Sequence, residues 1–183
     1  MSIFTKTHTV ELPKEIIDKA NLFAKDVVDT TNYSDGNQDD KNKIINDHFV
    51  SILGEEAVKE FLEENGRDVI GPDYEIFGPN QKSWDSDLFV NDIGLAVKTQ
   101  SRSLANIFGL SWTFQNIPGG RSDPVLSQPE AWVYFVEYID TDRQKNKLLV
   151  YPPKQIKDLE FEEPVKDSLK GKKLVVYESS FQR

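Results

Sequence analysis

Apolar residues recur at threes and fours between Glu11 and Asp29, where Leu12, Ile16, Ile17, Ala20, Leu22, Phe23, Val27 and Val28 follow a helical spacing. Pro13 stands where a first helical turn tolerates it, so a first helix is predicted here. The polar stretch Thr30 to Asp40 reads as a surface loop. A second helix is expected from about Asp40 to Asn65, stopped by Gly66. Its apolar residues occupy more than one face: Val50, Leu53, Ala57 and Phe61 on one, Ile44, Ile52 and Leu62 roughly opposite. Such a helix is expected to be sandwiched. It also carries His48, Glu55 and Glu56, some of which must then sit where water is scarce, at a cost unless they are paired or functional.

Beyond the turn signals Gly71-Pro72 and Gly78-Pro79 the pattern becomes extended. Strands are predicted at Tyr74–Phe77, Asp87–Val90, Leu95–Gln100, Trp132–Ile139, Leu148–Tyr151 and Leu174–Tyr177. The nearly unbroken apolar run from Trp132 to Val136 suits a strand covered on both faces, at the centre of the sheet. Gln155–Leu159 could add a short helix, and Asn116–Gln128, with two prolines and two glycines, is an irregular excursion long enough to be functional. The expected architecture is α/β, a central mixed β-sheet flanked by α-helices.

Composition narrows the class. A chain of 183 residues, 38% hydrophobic and 29% charged, suits one globular domain spanning residues 1–183. With no cysteine there are no disulfides, thiolate metal sites or cysteine nucleophiles, which points to a cytoplasmic protein. No apolar run is long enough for a membrane span, and the N-terminus lacks the layout of a secretion signal. The net charge of −9 opposes indiscriminate binding to nucleic acid, so any such partner needs a locally basic face. There is no P-loop, G-x-G-x-x-G, G-x-S-x-G or HExxH motif, which leaves nucleotide, dinucleotide, serine-hydrolase and zinc-protease chemistry without support.

The segment from Trp84 to Gln100 carries the chemistry. It reads strand, turn, strand, with the turn between Asn91 and Gly94. A two-residue loop would set Asp87 opposite Ala96 and a four-residue loop would set it opposite Lys98; either places Asp87 on the face of Ala96, Lys98 and Gln100. A three-residue loop or a bulge would separate the acid from the lysine. An acid beside a lysine, with a helical glutamate nearby, suits phosphodiester hydrolysis: the acids hold a divalent cation and the ammonium orients water or offsets developing charge. The same pair also reads as an ordinary cross-strand ion pair, worth under about 1 kcal/mol.

The order of these residues resembles the PD-(D/E)XK nuclease superfamily, the restriction-endonuclease-like fold. The likeness runs roughly from Lys41 to Leu149: a helix with Gly54-Glu55-Glu56-Ala57-Val58, then Asp87 on a strand, then Val97-Lys98-Thr99-Gln100, then the apolar strand from Trp132. The resemblance implies Glu55 or Glu56 as the helical acid, with Glu55 preferred, Asp87 as the metal-binding aspartate, Lys98 as the signature lysine and Gln100 as an assisting residue. Mg2+ or Mn2+ would be held by Asp87, Glu55 and the carbonyl of Val97. Where the signature has an acid two residues before the lysine, this chain has Ala96. Three readings follow: an inactive relative, an acid supplied from elsewhere such as Glu55, or an alanine introduced to stop cleavage.

Other residues have two readings each. Asp73, after Pro72, reads as turn chemistry more naturally than as the metal-binding acid, Asp85 shares the strand parity of Asp87, and Asp92 reads as a turn residue. Arg102 and Arg121 could contact phosphate and Trp112 could stack on a base, or these are exposed arginines and a core tryptophan. Lys41, Lys43 and Lys82 could complete a basic rim, and His48 could hydrogen-bond within the site or be a satisfied half-buried side chain. The expected function is a divalent-metal-dependent DNA endonuclease, with a homodimer admissible although no segment marks an interface. The rivals are a non-catalytic DNA-binding protein on the same scaffold and a protein-interaction module with an acidic surface.

Overall fold

The two helical patterns become α1 (Lys14–Thr30) and α2 (Lys41–Glu64) in a computed structural model that describes residues 4–30, 40–76 and 86–182. Asp40 caps α2, its carboxylate accepting the N–H groups of Asn42 and Lys43 at 3.0 and 3.2 Å. At the other end Gly66 takes φ of 72°, and the N–H groups of Gly66 and Arg67 return to the carbonyls of Glu63 and Leu62. Apart from its ends, the loop predicted from Thr30 to Asp40 lies outside the described residues, as do the Gly78-Pro79 turn, Lys82 and Asp85.

The fold is α/β. Its main sheet combines β1 (His8–Glu11), β2 (Val69–Ile70), β3 (Leu88–Val90), β4 (Ile93–Ser101), β6 (Trp132–Tyr138), β7 (Lys147–Val150) and β8 (Lys154–Gln155). The order is β1-β7-β6-β4-β3-β2, with β8 alongside β6. Only the β4–β6 pair is parallel, so the chain must cross over between them; the crossover contains α3 (Arg102–Phe108) and β5 (Ser111–Gln115). β5 pairs with β9 (Lys173–Tyr177) in a separate two-stranded sheet.

Several boundaries differ from the sequence-based reading. Glu11, placed at the start of the first helix, ends β1 instead and pairs with Lys147. No strand forms at Tyr74–Glu75–Ile76; the pairing strand is β2, just upstream, and Phe77 lies outside the described residues. Tyr74 is claimed by the helices: its hydroxyl donates to Glu56 at 2.7 Å, its ring meets Phe23 edge-on at 5.2 Å, and Lys19 lies over it. The short helix expected at Gln155–Leu159 is a single 3-10 turn over Ile156–Asp158.

Apolar side chains pack on both faces of the main sheet. On one, Leu53, Ala57, Val58 and Phe61 of α2 meet Leu95, Val97, Val136 and Val150, while α1 covers the outer side of α2. The expected sandwiching of α2 therefore occurs. On the other face Trp112 and Phe114 of β5 and Val176 of β9 close over Val133 and Phe135. Every residue of β6 after Trp132 is buried, as its continuous apolar run requires. No helix among the described residues is long and apolar enough to cross a membrane.

Candidate active site

The β3–β4 hairpin closes through a two-residue turn, Asn91-Asp92, with φ of 48° and 64°. Asn and Asp tolerate this left-handed backbone, and a turn of this kind matches the twist of its flanking strands. The register runs Val90 to Ile93, Phe89 to Gly94 and Leu88 to Leu95, so Asp87 comes next, opposite Ala96. β3 stops there, whereas β4 continues to Ser101 with β6 along its other edge. The Asp87 carboxylate takes over where the ladder ends: its Oδ2 accepts the N–H of Val97 at 2.7 Å.

Glu55 reaches this edge because α2 lies unusually close to β4. A Cβ on Gly54 would stand 1.8 Å from Thr99 Oγ1, so only glycine permits the approach. Thr99 Oγ1 is itself buried without a hydrogen-bond partner among the described residues. The next residue, Glu55, is buried and accepts a hydrogen bond from the Ser51 hydroxyl at 3.3 Å. Burial pushes the Glu55 carboxyl well above the ordinary range, and the negative charge of Asp87 pushes it further. Asp87 is also raised, chiefly by burial; the Val97 N–H and the Lys98 ammonium pull the other way. Glu55, Asp87 and Lys98 are thus within electrostatic reach of one another. Glu56 points elsewhere and is held by Tyr74.

Lys98 donates to Asp123 Oδ2 at 3.0 Å, and its ammonium lies 5.1 Å from the centroid of the Phe114 ring. Asp123 is the site residue that sequence reasoning passed over. Its side chain also accepts the N–H of Gln115 at 3.0 Å, which ties the irregular excursion to the end of β5. A small cavity of about 120 Å³ brings together Asp87, Ala96, Lys98 and Asp123, so a second carboxylate stands close to Ala96. The available signal was the excursion itself, an unusually long irregular segment following the lysine strand.

The remaining predicted residues are distributed as follows. Gln100 lines the same cleft as Asp87 and Lys98, but its amide grips the start of β5, accepting Ser111 N–H at 2.8 Å and donating to Ser111 Oγ at 3.4 Å. Arg102 gives its guanidinium to Glu137, a buried acid on β6, through two hydrogen bonds of 2.7 and 2.9 Å. Arg121 is exposed and close enough to Lys173 to influence its ammonium. Trp112 is a core residue, 1% exposed, with its indole N–H donating to the Val136 carbonyl at 2.9 Å. Asp73 accepts the N–H of Glu75 at 2.8 Å, a local turn contact. His48 is largely buried, which lowers its pKa, partly opposed by Asp47. Lys41 is exposed, and Lys43 pairs with Asp47 at 3.0 Å.

The site opens into a cleft of about 470 Å³ between the first half of α2, the free stretch of β4, α3 and the β5–β9 sheet. Comparisons with protein-family models, with curated proteins and with solved structures find no match for this chain.

Proposed function

We propose that this chain is a divalent-metal-dependent DNA endonuclease on a restriction-endonuclease-like core. The observation that carries this reading is the meeting of Glu55, Asp87 and Lys98 at the edge of β4, where β3 ends. The order of helix, hairpin, crossover helix and parallel strand supports it. A buried and a half-buried carboxylate, both raised by loss of water and Glu55 further by the charge of Asp87, form a donor set suited to a cation, whose charge would reverse that effect. Among the described residues no three acidic or histidine side chains converge as a ligand set. Asp87 and Glu55, with the Val97 carbonyl, would therefore hold Mg2+ or Mn2+, water making up the remaining oxygens as Mg2+ commonly allows. When bound, the ion supplies Lewis acidity toward the phosphate and a more acidic water.

The chain's own residues do the rest. Glu55, buried and hydrogen-bonded by the Ser51 hydroxyl, holds its carboxylate within the field of Asp87 as the second acidic ligand. Lys98, steered by Asp123, orients that water or neutralises charge on the phosphate oxygens. Gln100 fixes β5 against β4 and so positions the lysine strand. Arg121 remains a candidate phosphate contact; Arg102, held by Glu137, serves the scaffold.

A second reading, a DNA-binding protein without catalysis, is favoured by Ala96 and by the small number of acidic ligands. The deciding experiment incubates the chain and Ala96→Glu with plasmid and single-stranded DNA in Mg2+, Mn2+ or chelator. Cleavage that needs the metal and is abolished by Lys98→Ala supports the enzyme, including cleavage that appears only in Ala96→Glu. No cleavage by either folded protein refutes it.

A further inference from the structure

The cleft beside the acids has two chemically different components. Lys43, Lys98, Lys166 and Lys173 line it together with Asp47 and Asp87, so cations outnumber anions within a chain whose overall charge is −9. Lys173 is half-buried, and its ammonium has no hydrogen bond or ion pair among the described residues. Lys98, Arg121 and Asp123 all act on it electrostatically, which places it in the same charge cluster as the lysine of the site. Apolar side chains form the second component. Leu104 of α3 is 41% exposed and Val165 is 64% exposed, and both border the cleft with Phe108 and Tyr177.

The walls are built rather than loose. Glu162 pairs with Val175, and the Tyr177 hydroxyl accepts the Val165 N–H at 3.3 Å and donates to the Glu163 carbonyl at 3.5 Å. These contacts hold the segment carrying Val165 and Lys166 against β9. About 470 Å³ is the scale of a small-ligand site, enough for a nucleotide-sized group and far too little for a duplex. Apolar and aromatic side chains engage base faces, and in a duplex those faces are hidden in the stack. Only an unpaired strand presents phosphates and base faces together.

We propose that this cleft binds an unpaired DNA strand, with Lys166 and Lys173 on its phosphates and Leu104, Phe108, Val165 and Tyr177 against its bases. This rests on the nuclease reading above for DNA as the polymer, and it narrows the substrate to single-stranded segments. Lys173 is a binding residue here, next to the site but outside the acid set.

The test is fluorescence anisotropy with a labelled oligodeoxynucleotide, single-stranded or annealed to its complement, titrated with salt in chelator so that cleavage plays no part. The expected result is preference for the single strand of roughly tenfold, the scale of one stacked base. Lys173→Ala and Lys166→Ala should each reduce the slope of log K against log salt by about 0.7. Leu104→Ser with Val165→Ser should weaken single-strand binding and leave duplex binding unchanged, and Lys25→Ala on α1, outside the cleft, should leave the slope intact. Melting curves identify any variant that fails to fold, in which case Lys173→Gln replaces it. Equal or tighter duplex binding, or an unchanged salt slope in both folded lysine variants, would overturn the proposal. Strand preference with no cleavage in Mg2+ or Mn2+ by either the chain or Ala96→Glu supports the cleft and refutes the nuclease reading; metal-dependent duplex cleavage without strand preference does the reverse.

Discussion

Gly54 is the point at which a single methyl group should disturb both stability and the site. In Gly54→Ala the new Cβ would lie 1.8 Å from Thr99 Oγ1 and 2.9 Å from Thr99 Cβ. Carbon and oxygen in ordinary contact stand roughly 3.3 Å apart, so the pair must open by about 1.5 Å. Thr99 is β-branched and packed between α2 and β4, so simple rotation offers little relief and the helix has to withdraw. Overpacking of this kind costs about 1–3 kcal/mol. For a chain of this length that lowers Tm by roughly 2–4 °C per kcal/mol. Glu55 moves with the helix, and a displacement of about 1 Å at a reacting group reduces turnover by roughly 100-fold. The assay pairs thermal and urea denaturation with DNA cleavage in Mn2+ for Gly54→Ala, Thr99→Ala and the double variant. In the double variant the 1.8 Å clash is gone and Thr99 Cβ at 2.9 Å is the nearest atom, so part of the loss should return. A Gly54→Ala protein with unchanged Tm, or a double variant no more stable than the single, would refute the close-approach argument.

Other outcomes follow from the charges. The folded-state pKa of Glu55 is raised, so its contribution to stability is greatest below the ordinary carboxylate range and is lost as pH climbs through the raised value. Glu55→Gln should therefore raise Tm at alkaline pH by the equivalent of about 0.5–2 kcal/mol, flatten the decline in stability as pH rises above the ordinary carboxylate range, and abolish cleavage. Mg2+ or Mn2+ should raise the Tm of the unaltered chain, by the equivalent of about 2.7 kcal/mol at 100 times Kd, and calorimetry on Asp87→Asn should show that gain largely removed. Arg102→Ala leaves the buried Glu137 carboxylate with the Tyr151 hydroxyl at 3.4 Å as its remaining donor; because of that donor and because the arginine is 38% exposed, the expected loss in urea denaturation is near the lower end of roughly 3–5 kcal/mol. DNA affinity should then change little at a temperature where the variant is folded.

The extent of α2 and its stop before Gly66 were legible in the chain, because helical period and the glycine stop are local properties. The register of Asp87 was legible only in part. Strand alternation leaves two parities, and the two-residue Asn91-Asp92 turn, which the chain alone did not separate from a three-residue loop, selects the one that sets Asp87 opposite Ala96. Tertiary structure gives Glu55 and Glu56 different surroundings, which neighbouring helical positions alone do not: Tyr74 takes Glu56, while Glu55 is buried within the field of Asp87. Arg102 turned out to hold Glu137, a partner 35 residues away that no local pattern reveals. Asp123 likewise joins Lys98 across 25 residues. Propensity and periodicity act over one or two turns of chain, whereas a charge is assigned its partner by whichever distant segment packs beside it, and that packing exists only in the folded molecule.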